Sequence, residues 1–155
     1  MTAAAPACSA KSEPAAEAAA DIVAAVKAVF AVPDDRIDYA QAKLALDKIV
    51  DPSLDVAATM AELDQMAEEA RRLAGPSPTE GDLLAALRKL IYESGPWNGY
   101  RPFAYDHSDP YGDHISNKLL HAYLATRLGN CISMPVLFLI PDRQAWLGGG
   151  AELRA

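Results

Sequence analysis

The chain has 155 residues, of which 51% are hydrophobic and 23% charged, so it can bury the core of one compact domain but not of two. Its formal net charge of -7 provides no basic surface for phosphates, so we expect no nucleic-acid partner. The two cysteines, Cys8 and Cys131, do not resemble the framework of a disulfide-rich secreted protein and fit a reducing, cytoplasmic location better.

The N-terminal segment is poor in large apolar side chains. Residues 1–14 combine mainly Ala, Pro, Ser and Lys, so we predict that they are disordered. Residues 1–20 have no positively charged start and no Leu-rich run, which argues against a secretory signal. No segment of the sequence reaches the roughly 18 consecutive apolar residues of a membrane span. We therefore expect no membrane partner.

Four helices are predicted before residue 95. The first covers about 15–31 and stops before Pro33, because proline lacks the amide that would continue the helix. The second covers about 39–49. A third helix follows, and either Ser53 or Asp55 is placed to cap it.

The third and fourth predicted helices have clear boundary signals. The third ends at Gly75-Pro76, and the fourth begins after Thr79, with Asp82 at its third position to complement the exposed amides. Gly95-Pro96 marks its end. The third helix carries one apolar stripe, with most of its charged residues on other faces.

An irregular stretch separates these helices from the last apolar segments. Residues 97–113 are rich in Pro, Gly, Tyr and Asp, as expected of a loop packed on the body. Asp113 is placed to cap a fifth helix over about 114–127. The following run, 132–140, is apolar all round and fits a buried helix or a buried strand. Pro135 is compatible with a helix there only in its first turn.

The turn Gly129-Asn130-Cys131 joins the fifth predicted helix to this apolar run. If the run is a helix, the thiol of Cys131 lies at its N-terminus, where the exposed amides and the helix dipole favour a thiolate. Asn130 would cap the helix, and Gly129 would form the turn. The alternative is that Cys131 is a small buried apolar residue, as most free cysteines are. The turn alone does not decide between a nucleophile and a packing residue.

Segments on both sides of this turn resemble the transglutaminase-like superfamily, in particular its bacterial SirB-type branch. The resemblance covers about residues 36–140, and its most specific piece is the Gly-Asn-Cys turn between two apolar segments. The segments that carry it are Leu44 to Leu63 with its Asp51-Pro52-Ser53-Leu54-Asp55 turn, Gly95-Pro96-Trp97-Asn98, Pro102-Phe103-Ala104-Tyr105-Asp106, Asn117-Lys118-Leu119-Leu120, and Tyr123 to Pro135.

The resemblance implies both a fold and a site. In that family, helices lead into a cysteine at a helix N-terminus, and an antiparallel sheet then supplies a histidine and an acid. Cys131 would therefore be the nucleophile for acyl transfer or amide hydrolysis, supported by Asn130 and Gly129. The expected fold is mainly α as present, namely the N-terminal helical part of an α+β transglutaminase-like (cysteine-proteinase-like) fold, over residues 15–140, without its antiparallel sheet.

A catalytic base for Cys131 is missing from the expected place. Cys-His catalysis needs an imidazole within hydrogen-bond reach and a third group that orients it. The three histidines, His107, His114 and His121, all precede Cys131, whereas the family supplies its histidine afterwards. We therefore predict a truncated, inactive relative that acts on or binds an unidentified protein or peptide. The alternative is a non-catalytic helical interaction or regulatory module, with a structural Cys131 and acidic helices that contact a protein partner.

A polar cluster precedes the fifth predicted helix. Asp106, His107, Asp109, Asp113 and His114 carry the oxygen and imidazole ligands that a metal ion could use. Turn formation and helix capping explain these residues better, because the spacing is not that of a zinc site. We expect no metal and no other cofactor.

The C-terminal segment changes character after Ile140, where the resemblance stops. Residues 141–155 have no apolar period and include three consecutive glycines, so we predict an unstructured tail. A reading shifted one base forward from the Trp146 codon permits Gly-Leu-Glu-Val-Glu-Leu-Ser-Ser-Ala-Pro, which is similar to the family's missing strand. The tail is therefore interpreted as an out-of-frame product. Without the sheet, Val136 and Phe138 are expected to be exposed.

Overall fold

A computed structural model of the chain describes residues 13–33 and 36–147, of which 13–18 and 141–147 are described by their backbone alone. The described residues are mainly helical, which confirms the predicted class. In chain order the elements are α1 (Glu13–Phe30), α2 (Tyr39–Val50), α3 (Val56–Ala74), α4 (Glu80–Tyr92), a first 3₁₀ helix (Pro96–Asn98), β1 (Ala104–Tyr105), a second 3₁₀ helix (Ile115–Lys118), α5 (Leu120–Thr126), β2 (Leu128–Gly129) and α6 (Ser133–Leu147). No helix among these residues is long and apolar enough to cross a membrane.

The chain divides into two units, one ending at Asp38 and one beginning at Tyr39, and α1 belongs to the first. Because α1 starts at Glu13, the predicted disorder is wrong for Glu13 and Pro14, while residues 1–12 lie outside the described residues. The amides of a first turn have no intrahelical partner, so a proline costs no hydrogen bond there, and a glutamate is favoured by the helix dipole.

The predicted caps of α3 and α4 are formed by side chains. Asp55 rather than Ser53 caps α3, because its Oδ1 accepts a 3.0 Å hydrogen bond from the Ala58 amide. At α4, Thr79 Oγ1 accepts from the Asp82 amide at 3.3 Å, and Asp82 Oδ2 accepts from the Thr79 amide at 2.9 Å. These bonds fix where the two helices begin.

The core of the second unit forms where α3, α4 and α5 pack against α6. Its largest fully buried apolar side chains are Tyr123, Leu44, Leu63, Leu87, Ile91, Leu120, Leu124, Leu137 and Ile140. Residues 133–140 of the apolar run therefore belong to α6, which buries Leu137 and Ile140 on one face, while Ile132 lies just before the helix. Pro135 lies in its first turn, where the missing amide proton costs no hydrogen bond.

The helix predicted over 114–127 is interrupted. The second 3₁₀ helix and α5 are separated by Leu119, whose backbone is extended at φ -89° and ψ 131°. A tertiary contact accounts for the break, because the amide that opens α5 donates to a carboxylate of α2. The prediction that Asp113 caps this segment is wrong. Asp109 instead accepts from the amides of Asp113, at 2.8 Å, and His114, at 3.2 Å.

The two strands form a small parallel pair. Ala104 lies opposite Leu128, and Tyr105 lies opposite Gly129. Within residues 13–33 and 36–147 this pair is the only sheet, so the antiparallel sheet of the resembled family is not among them.

The last helix extends beyond the predicted domain end. α6 continues to Leu147, so the prediction of an unstructured tail is wrong for residues 141–147. The sequence between Pro141 and Gly148 contains Arg, Gln, Ala and Leu, which favour helix, and the glycines begin only afterwards. Residues 148–155 lie outside the described residues. The domain predicted over 15–140 stays a prediction, and the structure adds a division between Asp38 and Tyr39 and a last helix described to Leu147.

The apolar face of α6 is partly covered without a large sheet. Val136 and Phe138, expected to be exposed, are half-buried, and the Phe138 ring stacks on Tyr92 with 6.4 Å between centroids. Leu139 is instead the exposed residue, with 60% of its surface accessible.

Candidate functional site at the Cys131 turn

The segment that carries Cys131 runs from the end of α5 through β2 to the start of α6. Arg127 ends α5 in the left-handed conformation, with φ 65°, and thereby turns the chain into β2. Its guanidinium lies over the Phe103 ring, 4.2 Å from the centroid. The amide of Ala104 donates to the carbonyl of Arg127 at 2.9 Å, which ties the turn to β1. The approach to Cys131 is therefore held by a strand pair and a cation–π contact.

Asn130 organises the start of α6. Its Oδ1 accepts from the amides of Ile132, at 2.9 Å, and Ser133, at 3.2 Å. Its own amide donates to Ser133 Oγ at 3.0 Å, and its carbonyl accepts from the Met134 amide at 3.0 Å. This reciprocal arrangement is that of a capping box, and it makes Cys131 the first residue after the cap.

Gly129 is required by close packing. A Cβ atom added at this position would lie 2.7 Å from Cδ2 of Tyr123 and would also collide with Ser133 Oγ. Tyr123 is fully buried and meets Phe103 edge-to-face, with 5.1 Å between ring centroids. The backbone two residues before Cys131 is therefore pressed against the core, and only glycine fits there.

Cys131 itself is exposed and carries a free thiol. The amides of Ile132 and Ser133, which could otherwise stabilise an anion at the helix start, are occupied by Asn130. Among the described residues, the Cys131 amide donates no hydrogen bond. It is thus the amide of this turn that remains for a developing oxyanion.

The three histidines of the sequence all contact groups other than Cys131. His121 Nε2 lies 3.0 Å from Asp51 Oδ2, and the Nδ1 atom of the same ring is buried without a partner. His114 Nδ1 lies 4.0 Å from Asp109 Oδ2. His107 packs against Tyr105 with 5.2 Å between ring centroids. Within the described residues, no imidazole is hydrogen-bonded to the thiol, so none is positioned as its base.

The loop that contains Asp106 borders the Cys131 turn, which the sequence did not predict. The Asp106 amide donates to the carbonyl of Gly129 at 2.8 Å. A Cβ atom added at Gly112 would lie 3.5 Å from Nδ2 of Asn130. The loop that carries the polar cluster Asp106 to His114 is therefore a neighbour of the Cys131 turn.

Hydrogen bonds within the loop account for its acidic residues. Asn117 Nδ2 donates to Asp106 Oδ2 and to Asp109 Oδ2, both at 2.9 Å. The Ser108 hydroxyl, followed by Asn117 and the Ser108 amide, lowers the pKa of Asp106. Burial raises the pKa of Asp109, but hydrogen bonds from Asn117 and the amides that follow outweigh it and leave that pKa lowered. No group of three or more potential metal ligands occurs in the described residues.

A second feature that the sequence did not reveal is a polar contact between α2 and α5. Asp47 Oδ2 accepts from the amide of Leu120 at 2.7 Å, and its Oδ1 pairs with Lys43 Nζ. The spacing of Lys43 and Asp47 is that of an ordinary helical ion pair. Nothing in the neighbouring sequence therefore indicates that the Asp47 carboxylate also accepts a hydrogen bond from α5.

Comparisons with known proteins give no independent assignment, because no family model, no curated protein and no solved structure matches this chain.

Proposed function

We propose that Cys131 occupies the nucleophile position of a transglutaminase-like acyl-transfer site, and that this chain does not complete the catalytic cycle by itself. The observation that carries the proposal is the exposed thiol directly after the Asn130 cap, at the start of α6. The resemblance of the Gly-Asn-Cys turn and its flanking segments to that family supplies the reaction type.

The first half of such a reaction needs only an accessible thiolate. Its sulfur attacks the carbonyl carbon of an activated ester, the phenolate or alkoxide departs with the bonding electron pair, and a thioester remains on Cys131. An amide would also need an acid to protonate its departing amine. The Cys131 amide is the donor available to the oxyanion that forms during the attack.

The second half of the reaction needs a base that these residues do not provide. Release of the thioester requires a water or amine to be deprotonated, usually by an imidazole that a third group orients. His107, His114 and His121 are all engaged elsewhere. Because members of a catalytic set act together, loss of one member removes most of the rate. We therefore infer stoichiometric acylation without turnover, on a substrate that is a protein or peptide.

Thiol labelling tests the proposed state of Cys131. With Cys8→Ser as the background, reaction with iodoacetamide at neutral pH is expected to be faster in the folded chain than in urea, because the exposed thiol lies at a helix start, a position typical of reactive cysteines. The Cys8→Ser/Cys131→Ser chain is the matched blank. Labelling that is slower in the folded chain than in urea would overturn the proposal.

A second candidate function is a non-catalytic interaction module. The exposed apolar surface at the start of α6 favours it, since Ile132, just before the helix, is 46% exposed and Leu139, within it, is 60% exposed. The segment 131–140 carries no charged residue. An uncharged apolar helix face is typical of a protein contact. The two candidates make different predictions for Cys131→Ser. This substitution abolishes acylation, whereas it leaves a binding function of α6 in place.

A further inference from the structure

The start of α5 is held by a residue that is distant in sequence. The residue before the helix, Leu119, has an apolar side chain and forms no side-chain cap. The first amide of the helix, that of Leu120, instead donates to Asp47 Oδ2 at 2.7 Å, and these two residues are 73 positions apart. A carboxylate of α2 thus performs the capping task for α5.

The same carboxylate is part of an ion pair in which Asp47 is buried and Lys43 is partly buried. Asp47 is 3% exposed, and its other oxygen pairs with Lys43 Nζ. Lys43 Nζ also donates to the carbonyl of Lys118 at 2.9 Å. Both charged groups therefore contact the short segment 118–120 that leads into α5.

A buried ion pair gains little over apolar side chains of similar volume, because both charges lose their hydration. A Ser, Thr, Asn or Asp at position 119 would cap α5 locally. Such a local cap, however, would not fix the position of α5 relative to α2, as the contact from Asp47 does.

The position of α5 is transmitted by direct packing to the Cys131 turn. One turn after Leu120, the fully buried ring of Tyr123 presses on Gly129, with a hypothetical Cβ only 2.7 Å from the ring. That same hypothetical atom would collide with Ser133 Oγ, which accepts from the Asn130 amide. Tyr123, Gly129 and Ser133 therefore lie close together, so a shift of α5 is expected to move the Cys131 turn.

We propose that Asp47 is a positioning residue for the Cys131 turn: by fixing where α5 begins, it sets the backbone geometry around the thiol. The inference takes the role of Cys131 from the proposed function, whereas the contacts between Asp47 and the Cys131 turn are independent of that function. Its consequence is that a change in α2 alters the reactivity of a thiol that α2 does not touch in any described contact.

The main variant is Lys43→Met/Asp47→Leu in the Cys8→Ser background. It removes the cap without leaving a buried charge unpaired, so the fold is expected to be retained. The folded chain should then label at Cys131 at least about threefold more slowly than its parent. Hydrogen exchange at the amides of Ile132 and Ser133, which Asn130 caps, should become faster.

Two further variants separate positioning from general destabilisation. Lys43→Met/Asp47→Asn keeps an oxygen that can accept from the Leu120 amide, so it should restore the parent's labelling and exchange. Thr79→Ala removes the cap of α4 and is expected to leave both readouts unchanged.

The outcomes distinguish this inference from the proposed function. If the parent labels rapidly and Lys43→Met/Asp47→Leu labels at the same rate with unchanged exchange, the positioning role of Asp47 is wrong. Equal effects from Thr79→Ala would also overturn it. If the parent thiol is slow but the double variant still accelerates exchange at Ile132 and Ser133, the proposed function fails and the positioning role stands.

Discussion

Asn130 and Ser133 cap each other at the start of α6: the Asn130 side chain accepts from the Ser133 amide at 3.2 Å, and Ser133 Oγ accepts from the Asn130 amide at 3.0 Å. The bond pair encloses Cys131 and leaves its thiol exposed. The orientation of the thiol therefore depends on a cap formed by its immediate neighbours.

Replacing the cap residue tests this dependence. Asn130→Ala should lower the free energy of unfolding by about 1 kcal/mol, within a range of about 0.5–2 kcal/mol, because two amides at the helix start lose their acceptor. Asn130→Asp retains the acceptor oxygens and should recover most of the loss. Urea unfolding followed by circular dichroism gives both values, and equal stability of Asn130→Ala and the parent would contradict the capping role.

The close packing at Gly129 predicts a larger loss of stability on substitution. Gly129→Ala should destabilise the fold by about 1–3 kcal/mol, because the new methyl group overlaps the Tyr123 ring and Ser133 Oγ. Gly81→Ala in α4 is the matched control, since the added Cβ meets only Thr79 Oγ1, at 3.8 Å. That substitution should stabilise the chain by up to about 1 kcal/mol. Thermal unfolding of the two variants should shift in opposite directions.

The hydroxyl of Tyr123 is expected to contribute nothing to stability. Its oxygen is buried without a hydrogen-bond partner, and burial raises the pKa of Tyr123 well above the usual range for tyrosine. Tyr123→Phe removes an unsatisfied polar group and keeps the ring that packs on Gly129, so the free energy of unfolding should stay equal or rise. A loss of more than about 1 kcal/mol in urea unfolding would show that the hydroxyl has a partner.

The lowered pKa of Asp106 predicts how the stability of the fold changes at acidic pH. Hydrogen bonds from Ser108 and Asn117 lower its pKa below the ordinary 3.8, so the folded state favours the ionised form. The resulting stabilisation is fully present above pH 3.8 and is lost as the pH falls through the lowered pKa. Asp106→Asn should therefore lose less stability than the parent between pH 5 and pH 2. Urea unfolding at these two values checks this, and parallel losses would contradict it.

Local signals in the sequence predicted much of the helical fold. Thr79 caps α4 as predicted, and Asp55, one of the two predicted candidates, caps α3. These features depend on neighbours within one helical turn, so their pattern is visible in the chain. The sequence could not decide between a helix and a strand for 132–140, because a run that is apolar on every face shows neither a helical nor a strand period.

Contacts between distant segments account for what the sequence missed. The break at Leu119 depends on Asp47, and the displacement of Asp113 as a cap depends on the Asp109 carboxylate. For the candidate site, the turn Gly129-Asn130-Cys131 was identified, but its packing on Tyr123 and its neighbouring loop were not. Residue type and spacing indicate chemistry, whereas the partners of each group are set by tertiary packing.

The most direct test of the proposed function is acylation of Cys131 by p-nitrophenyl acetate. The thiolate should attack the ester carbonyl, expel p-nitrophenolate and retain the acetyl group as a thioester. We predict a burst of one p-nitrophenolate per chain in the Cys8→Ser background, one acetyl group on Cys131 by mass spectrometry, and no turnover beyond the spontaneous rate. No burst would contradict the nucleophile position, and sustained turnover lost in Cys131→Ser would contradict the absence of a base.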